Sequence, residues 1–455
     1  MLLHAEEFTL SPLSVKRVSV KTVDRTLSRL LAHERIRAAR HYVERTDELT
    51  LARQAALSAI PAPTGAEGQR GARVAELFRE IGLRKVAVDR AGNVRGWFRG
   101  EGGDGGDGGD GGNGGRGANG SNAASDDARA PVVVAAHLDT VFGPEVDVQV
   151  ERHGQRLEGP GISDNARGLA ALVAVADAMV TARLATSRPV LFAATVGEEG
   201  SGDLRGVKYL LNGRGDERAG DAAAPHAAPT AFIALDGAGL ERVIHRALGA
   251  KRYHVTFRGP GGHSWAAFGV ANPANAVGRA TALLADLPVP RTPRTTCAVV
   301  RLGGGTALNS IPQEAWLDLD LRSEDPRALA QLDVTVRAAL ERAADDENRH
   351  RTPDSPPLEL ALALLGDRPS GVTPRAHPLV QAAIAATRAL GRDAELASAS
   401  TDANVPIALG IPAIALGAGG KAGDAHLASE WFENVEGALG IVRALLVTAA
   451  MAEVR

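Results

Sequence analysis

Residues 131–138 read PVVVAAHL, an almost unbroken apolar run with its β-branched residues near the start. A run so short and so apolar is a strand covered on both faces, because a strand with one wet face alternates apolar and polar residues. Residues 190–196, 231–235 and 413–416 repeat the pattern, and helical apolar spacing at 169–184 and 378–390 falls between them. Strands alternating with helices predict a mainly parallel sheet with helices packed on it, an α/β fold.

Between these runs the pattern changes. Strands at 252–258, 296–302, 315–321 and 358–364, with helices at 274–287 and 327–346, predict a compact α+β module inserted in the larger domain. The expected division is an N-terminal extension at 1–45, a first catalytic part at 46–247, the module at 248–371 and a second catalytic part at 372–455. Hinges are expected at 247–251 and 366–373, where glycine or proline interrupts the pattern. Two helices flank the breaker IPAPTG at 60–65, and strands are expected at 86–88 and 93–98. An insertion at 99–130 carries Gly-Gly-Asp in near triplets, too poor in apolar groups to offset the entropy of ordering; 213–229 reads as a second surface loop.

Lys plus Arg number 51 against 54 Asp plus Glu, a formal charge of −3, so no general attraction to nucleic acid or anionic membrane is expected. No stretch approaches 20 apolar residues, and MLLHAEEFTL at the start carries acids where a signal peptide needs basic residues, so a cytoplasmic location is expected. Basic residues outnumber acidic ones from Lys16 to Arg45, which reads as a surface extension without an assigned function. Cys297 is the sole cysteine, which excludes an internal disulfide and a multi-thiolate zinc site. Any metal must be held by nitrogen and oxygen.

Such ligands gather where strands end. His137 and Asp139 sit two apart at the close of the first run, so both project to one side at the carboxyl edge, where open α/β sheets bind ligands. Asp164 ends GPGISD at 159–164 before a helix, where capping is its alternative use. Glu198 and Glu199 follow the second run, Asp236 follows 231–235, and His426 follows the glycine-rich 417–423. A His–Asp hydrogen bond, a helix cap and a solvated turn would each explain one segment. Five strand-end segments offering imidazole and carboxylate together form the donor set of one or two divalent ions.

Seven ordered segments resemble the M20 family of co-catalytic zinc peptidases and amidohydrolases: AAHLDTV at 135–141, GPGISDNARG at 159–168, TVGEEGSGDLRG at 195–206, ALDG at 234–237, GPGGHS at 259–264, GGTALNSIP at 304–312 and GDAHLASEWF at 423–432. The resemblance implies a dinuclear-zinc catalytic domain with an inserted lid domain. It implies two divalent metal ions, zinc first with cobalt or manganese as substitutes. His137, Asp164 and Asp236 would hold one ion and Asp164, Glu199 and His426 the other, with Asp164 bridging. Glu198 would be the general base for metal-activated water, and Asp139 the partner of His137. His263 would donate to the tetrahedral oxygen from the partner subunit of a homodimer formed through the lid. Asn309 and Arg322 would contact substrate, Arg322 by gripping a carboxylate, although an Arg ending a strand also suits a solvated edge. The loop at 400–404 resembles one near the metals.

Asp at position 236, and Trp265 after 259–264, look nearer the peptidase T-like branch, so a di- or tripeptide aminopeptidase is expected. The alternatives are a deacylase of N-acyl amino acids or N-succinyl compounds, and an inactive relative serving as a binding module. The last is disfavoured because every ligand position and the base are present.

Overall fold

The computed structural model describes residues 20–98, 129–212 and 227–455; the glycine- and aspartate-rich triplets, most of the 213–229 insert and residues 1–19 lie outside the described residues. A nine-stranded mixed sheet carries the fold. Its four central strands, Val190–Thr195, Val132–His137, Ala231–Leu235 and Ala413–Leu416, lie side by side in that order and parallel, so their carboxyl ends share one edge. Val94–Phe98 with Arg84–Val88 extends one side, and Arg242–Ala247, with Gly371–Val372 and Glu395–Ala399 paired to it, extends the other.

The unbroken apolar run is explained by cover on both faces. Val132, Val134 and Ala136 pack into the core under the helices Ala166–Thr181, Pro378–Ala389 and Gly437–Met451. Val133 and Ala135 point to the opposite face, against Val207 and Leu210 of Arg205–Asn212 and Val405 and Ile407 of Asn404–Ala408. The segment read as a surface extension is more than that. Leu27 and Leu30 of Val20–Ala32, with Ile36, Ala39 and Val43 of Glu34–Arg45, are buried in the main core. Apolar residues at helical spacing outweighed the basic surface that dominated the sequence pattern.

A separate antiparallel sheet, in the order Thr295–Gly304, Glu314–Ser323, Gly249–Arg258 and Glu359–Arg368, has its own core. Helices Pro273–Ala285 and Pro326–Arg349 cover it through Val277, Leu284, Leu332, Val336 and Leu340. The chain crosses between the two sheets twice. Only Leu248 separates Arg242–Ala247 from Gly249–Arg258, and only Pro369 and Ser370 separate Glu359–Arg368 from Gly371–Val372. Among the described residues no helix is long and apolar enough to cross a membrane. Cys297 is half-buried, and burial pushes its thiol up to about 11, which suits packing rather than reactivity.

Candidate metal centre

Residues just past the parallel strand ends face one another across the shared edge. His137, the last residue of its strand, is 3% exposed. Its Nδ1 lies 3.0 Å from the backbone carbonyl oxygen of Asp139. A carbonyl only accepts, so Nδ1 carries the proton, and in the neutral ring the Nε2 lone pair turns outward. Nε2 lies 3.0 Å from Asp164 Oδ1 and 3.9 Å from Asp236 Oδ1.

Asp139 was expected to orient His137 through its carboxylate, and the work is divided differently. The backbone oxygen accepts the hydrogen bond from Nδ1–H, while the carboxylate stands 3.6 Å from Nδ1. That carboxylate accepts the N–H groups of Glu198 and Glu199, each at 2.9 Å, and the Thr64 hydroxyl at 2.9 Å. It therefore fixes the backbone of both glutamates. The adjacent His137 imidazole, with the Glu199 and Glu198 N–H groups, outweighs burial and holds its pKa below the usual carboxylate value.

Asp164 is free of the capping duty that its sequence position allowed. Asn165 caps Ala166–Thr181, its side chain accepting the Gly168 N–H at 3.0 Å. The Asp164 backbone is instead anchored by Glu430, whose Oε1 accepts the N–H groups of Ser163 and Asp164 at 2.8 Å and whose Oε2 accepts that of Gly161 at 3.1 Å. The Asp164 carboxylate thus lies between two imidazoles, with His426 Nε2 3.2 Å from its Oδ2 and also 3.2 Å from Glu199 Oε1. Burial alone would raise the Asp164 carboxyl, but His137 and His426 outweigh it and hold it well below the usual range.

The pocket is rich in acid and short of positive charge. Burial, with the charge of Asp164, pushes Asp236 up to about 7, and burial pushes Asp402 up to about 6, although the Thr195 hydroxyl donates to it. Burial also lifts Glu198 well above its usual value, against the pull of Arg368 and His137. Hydrogen bonds to Asp164 and Glu199 raise His426 to about 10. Carboxyls buried this close together favour their protonated forms unless positive charge compensates them. With the His137 proton on Nδ1, nothing among the described residues donates to the buried Asp164 Oδ1, and donor atoms of His137, Asp164 and Glu199 lie within 4.8 Å of one another. Oxygen and nitrogen donors so placed, with an orphaned carboxylate oxygen among them, fit divalent cations.

His137, Asp164, Glu199, Asp236 and His426 therefore converge, with Glu198 beside them. His263, Asn309 and Arg322 do not join them. His263 pairs with Ser310 on an exposed ribbon, and the Asn309 backbone oxygen accepts the Ser264 N–H at 2.9 Å, so these two are neighbours of each other. Arg322 is half-buried within the antiparallel sheet and donates from Nε to Asp320 Oδ2 at 2.7 Å. Among the described residues no hydrogen bond or ion pair links any of the three to the cluster. Three contributors lay outside the sequence reading: Glu430, inside a segment already singled out for His426; Asn165, next to Asp164; and Arg368, whose guanidinium Nη1 lies 3.1 Å from Glu198 Oε1. Only Glu430 left a usable signal, an acid four residues from a candidate ligand.

Residues 133–452 match the sequence profile of peptidase family M20/M25/M40. No curated protein matches the chain. Among solved structures, the aminopeptidase PepT of Bacillus cereus ATCC 10987 is similar at 18% identity and a TM-score of 0.65, over 89% of this chain and 98% of that one. A tripeptidase of Staphylococcus aureus subsp. aureus Mu50 is similar at 18% identity and 0.67, over the same shares of 89% and 98%. A dinuclear metal-binding M20 peptidase of Bacillus subtilis is similar at 14% identity and 0.59, over 90% and 98%. These likenesses establish the fold.

Proposed function

The chain belongs to peptidase family M20/M25/M40, and on that premise we propose that it is a di- or tripeptide aminopeptidase working with two divalent ions, zinc first. The observation that carries this reading is the Asp164 carboxylate set between two imidazoles, 3.0 Å from His137 and 3.2 Å from His426. In it, His137, Asp164 and Asp236 hold one ion and Asp164, Glu199 and His426 the other. Asp139 and Glu430 hold the backbones that present these ligands. A divalent pair, when bound, supplies polarisation of a carbonyl oxygen and easier loss of a proton from water.

The remaining chemistry belongs to the chain. Glu198 takes a proton from the attacking water and passes it to the leaving nitrogen. Burial suits it, since a carboxyl raised above its usual value accepts a proton more readily before passing it on. Its backbone is fixed by Asp139 at 2.9 Å, so the carboxylate is placed before substrate arrives. His263 and Asn309 would serve the site only from a second subunit. The exposed Trp265, Phe268 and Leu308 nearby support a homodimer formed through that ribbon.

The test is a panel of Ala-Ala, Ala-Ala-Ala, N-acetylalanine and N-succinylalanine with the zinc-loaded chain. Release of a free N-terminal residue from the peptides is expected. Release of acetate or succinate instead would give the deacylase, and no turnover beside normal zinc content would give the binding module.

Metal binding should also be visible without substrate. In the metal-free fold Asp236 sits at about 7, above an unfolded carboxyl, so its contribution to stability is present at low pH and lost as pH rises through that value. His426, raised to about 10, likewise contributes below the pKa of a free imidazole, and that contribution is lost as pH climbs toward 10. Zinc replaces those protons, so added zinc should raise the melting temperature by ~5 °C or more at pH 8 and by less at pH 5.5. Thermal unfolding of chelator-treated protein checks this. An equal shift at both pH values would count against the cluster as the zinc site.

A further inference from the structure

We propose that Arg368 is a positioning residue through which the antiparallel sheet holds the carboxylate of Glu198, an inference that rests on Glu198 acting as the base. Arg368 is the last residue of Glu359–Arg368 and so belongs to the antiparallel sheet, yet its side chain reaches the carboxyl edge of the other sheet. There it is 4% exposed. Its Nη1 lies 3.1 Å from Glu198 Oε1 and 3.2 Å from Ser400 Oγ, and its Nη2 donates to the backbone carbonyl of Glu198. With Asp139 Oδ1 accepting the Glu198 N–H at 2.9 Å, the base is clamped on its N–H, its carbonyl and one carboxylate oxygen. The other oxygen, Oε2, has no protein hydrogen bond among the described residues and is left to take the proton.

The clamp is one of several bonds between the antiparallel sheet and the segment that follows Glu198. Arg252 Nη1 donates to the Gly200 carbonyl at 2.9 Å, and the Asp367 N–H donates to Asp203 Oδ1 at 2.9 Å. Lys208 ties the same corner, bonding Asp203 Oδ2 at 2.6 Å and the Asp367 carbonyl at 3.0 Å. Both crossings between the sheets are held by one buried side chain, Asn404, whose Nδ2 donates to the carbonyls of Leu248 and Pro369 at 2.9 Å each. The pivots, the Glu198–Asp203 segment and Arg368 are thereby bonded into one unit, and a turn of the antiparallel sheet is transmitted to the base. A planar guanidinium gripping a side-chain oxygen and the backbone oxygen of one residue fixes direction as well as distance, which a point charge does not.

The experiment compares the full-length zinc-loaded wild type, Arg368→Met, Arg368→Lys and Glu198→Gln on Ala-Ala-Ala. Arg368→Met is expected to lower kcat by ~10², the effect of a catalytic group displaced by about 1 Å. KM should stay within about threefold and zinc per chain should not change, because neither substrate binding nor a metal ligand is touched. Arg368→Lys should recover part of the loss by restoring charge without the fork. Should Arg368→Met fail to fold, Asp203→Gly tests the same linkage, since glycine accepts the backbone φ of 51° at that position while removing the acceptor for Asp367. It should lower kcat about three- to tenfold at unchanged KM. Wild-type kcat in these variants, or a rise in KM exceeding the fall in kcat, overturns the inference, the latter making Arg368 a substrate contact. An inactive Glu198→Gln beside a fully active Arg368→Met would sink this inference alone. A wild type that hydrolyses no substrate, or a Glu198→Gln variant that retains turnover, removes the hydrolase reading and this inference with it.

Discussion

Glu198→Gln is expected to lower kcat by ~10³ while bound zinc and KM stay close to wild type. The amide has the shape of the carboxylate, and its oxygen still accepts the Arg368 Nη1 bond now seen at 3.1 Å. It cannot take a proton. A loss of ~10³ corresponds to about 4 kcal/mol in the barrier, within the range carried by a positioned general base. The substitution also leaves the guanidinium of Arg368, 5% exposed, without its charged partner. Breaking a buried ion pair costs about 3–5 kcal/mol of stability. The Asp402 carboxylate offsets some of that cost, because its charge already acts on the same guanidinium. Initial rates of amine release at 25 °C, with elemental analysis of metal per chain, separate lost chemistry from lost fold. A kcat within tenfold of wild type would return Glu198 to a structural role.

What the sequence revealed and what it hid follow from the range of the forces involved. The strand Val132–His137 was legible because burial on both faces leaves only apolar residues, and because the strand's end fixes where His137 projects. Arg242–Ala247 was missed as a strand, since RVIHRA mixes basic residues into a run with one exposed side. Helix Ala166–Thr181 begins three residues before the apolar pattern does, at residues that include the buried Arg167. That guanidinium donates to the Ala418 and Gly437 carbonyls at 2.9 and 2.7 Å, contacts that join segments some 250 residues apart. Local spacing carries no trace of such partners. The same holds for Arg368, which in sequence is one charged residue ending an otherwise ordinary strand. The choice between Asp164 and Asn165 as the cap turned on one residue, below the resolution of pattern reading. His263, Asn309 and Arg322 were suggested by family resemblance, and among the described residues no hydrogen bond or ion pair joins them to the cluster within one chain.

Asp164→Ala is expected to abolish zinc retention and to lower kcat by ~10⁴, a loss of about 5.5 kcal/mol in the barrier. In the proposed centre every other ligand serves one ion, so removing Asp236 or His426 weakens one site. Among the described residues Asp164 is the single carboxylate within 3.2 Å of both imidazoles, and its loss opens both sites. The fold itself should tolerate the change. The loop is held through backbone groups, the N–H of Asp164 bonding Glu430 Oε1 at 2.8 Å and Asn165 capping the helix, and neither bond uses the Asp164 side chain. Removing it relieves one negative charge facing Asp236, which offsets the loss of the favourable contacts with His137 and His426 in the metal-free state. The metal-free melting temperature should therefore stay within a few degrees of wild type while the zinc-induced rise at pH 8 disappears. Paired thermal scans with chelator and with zinc give both quantities from one preparation. A zinc shift of wild-type size in this variant would place the ions elsewhere and remove Asp164 from the centre of the chemistry.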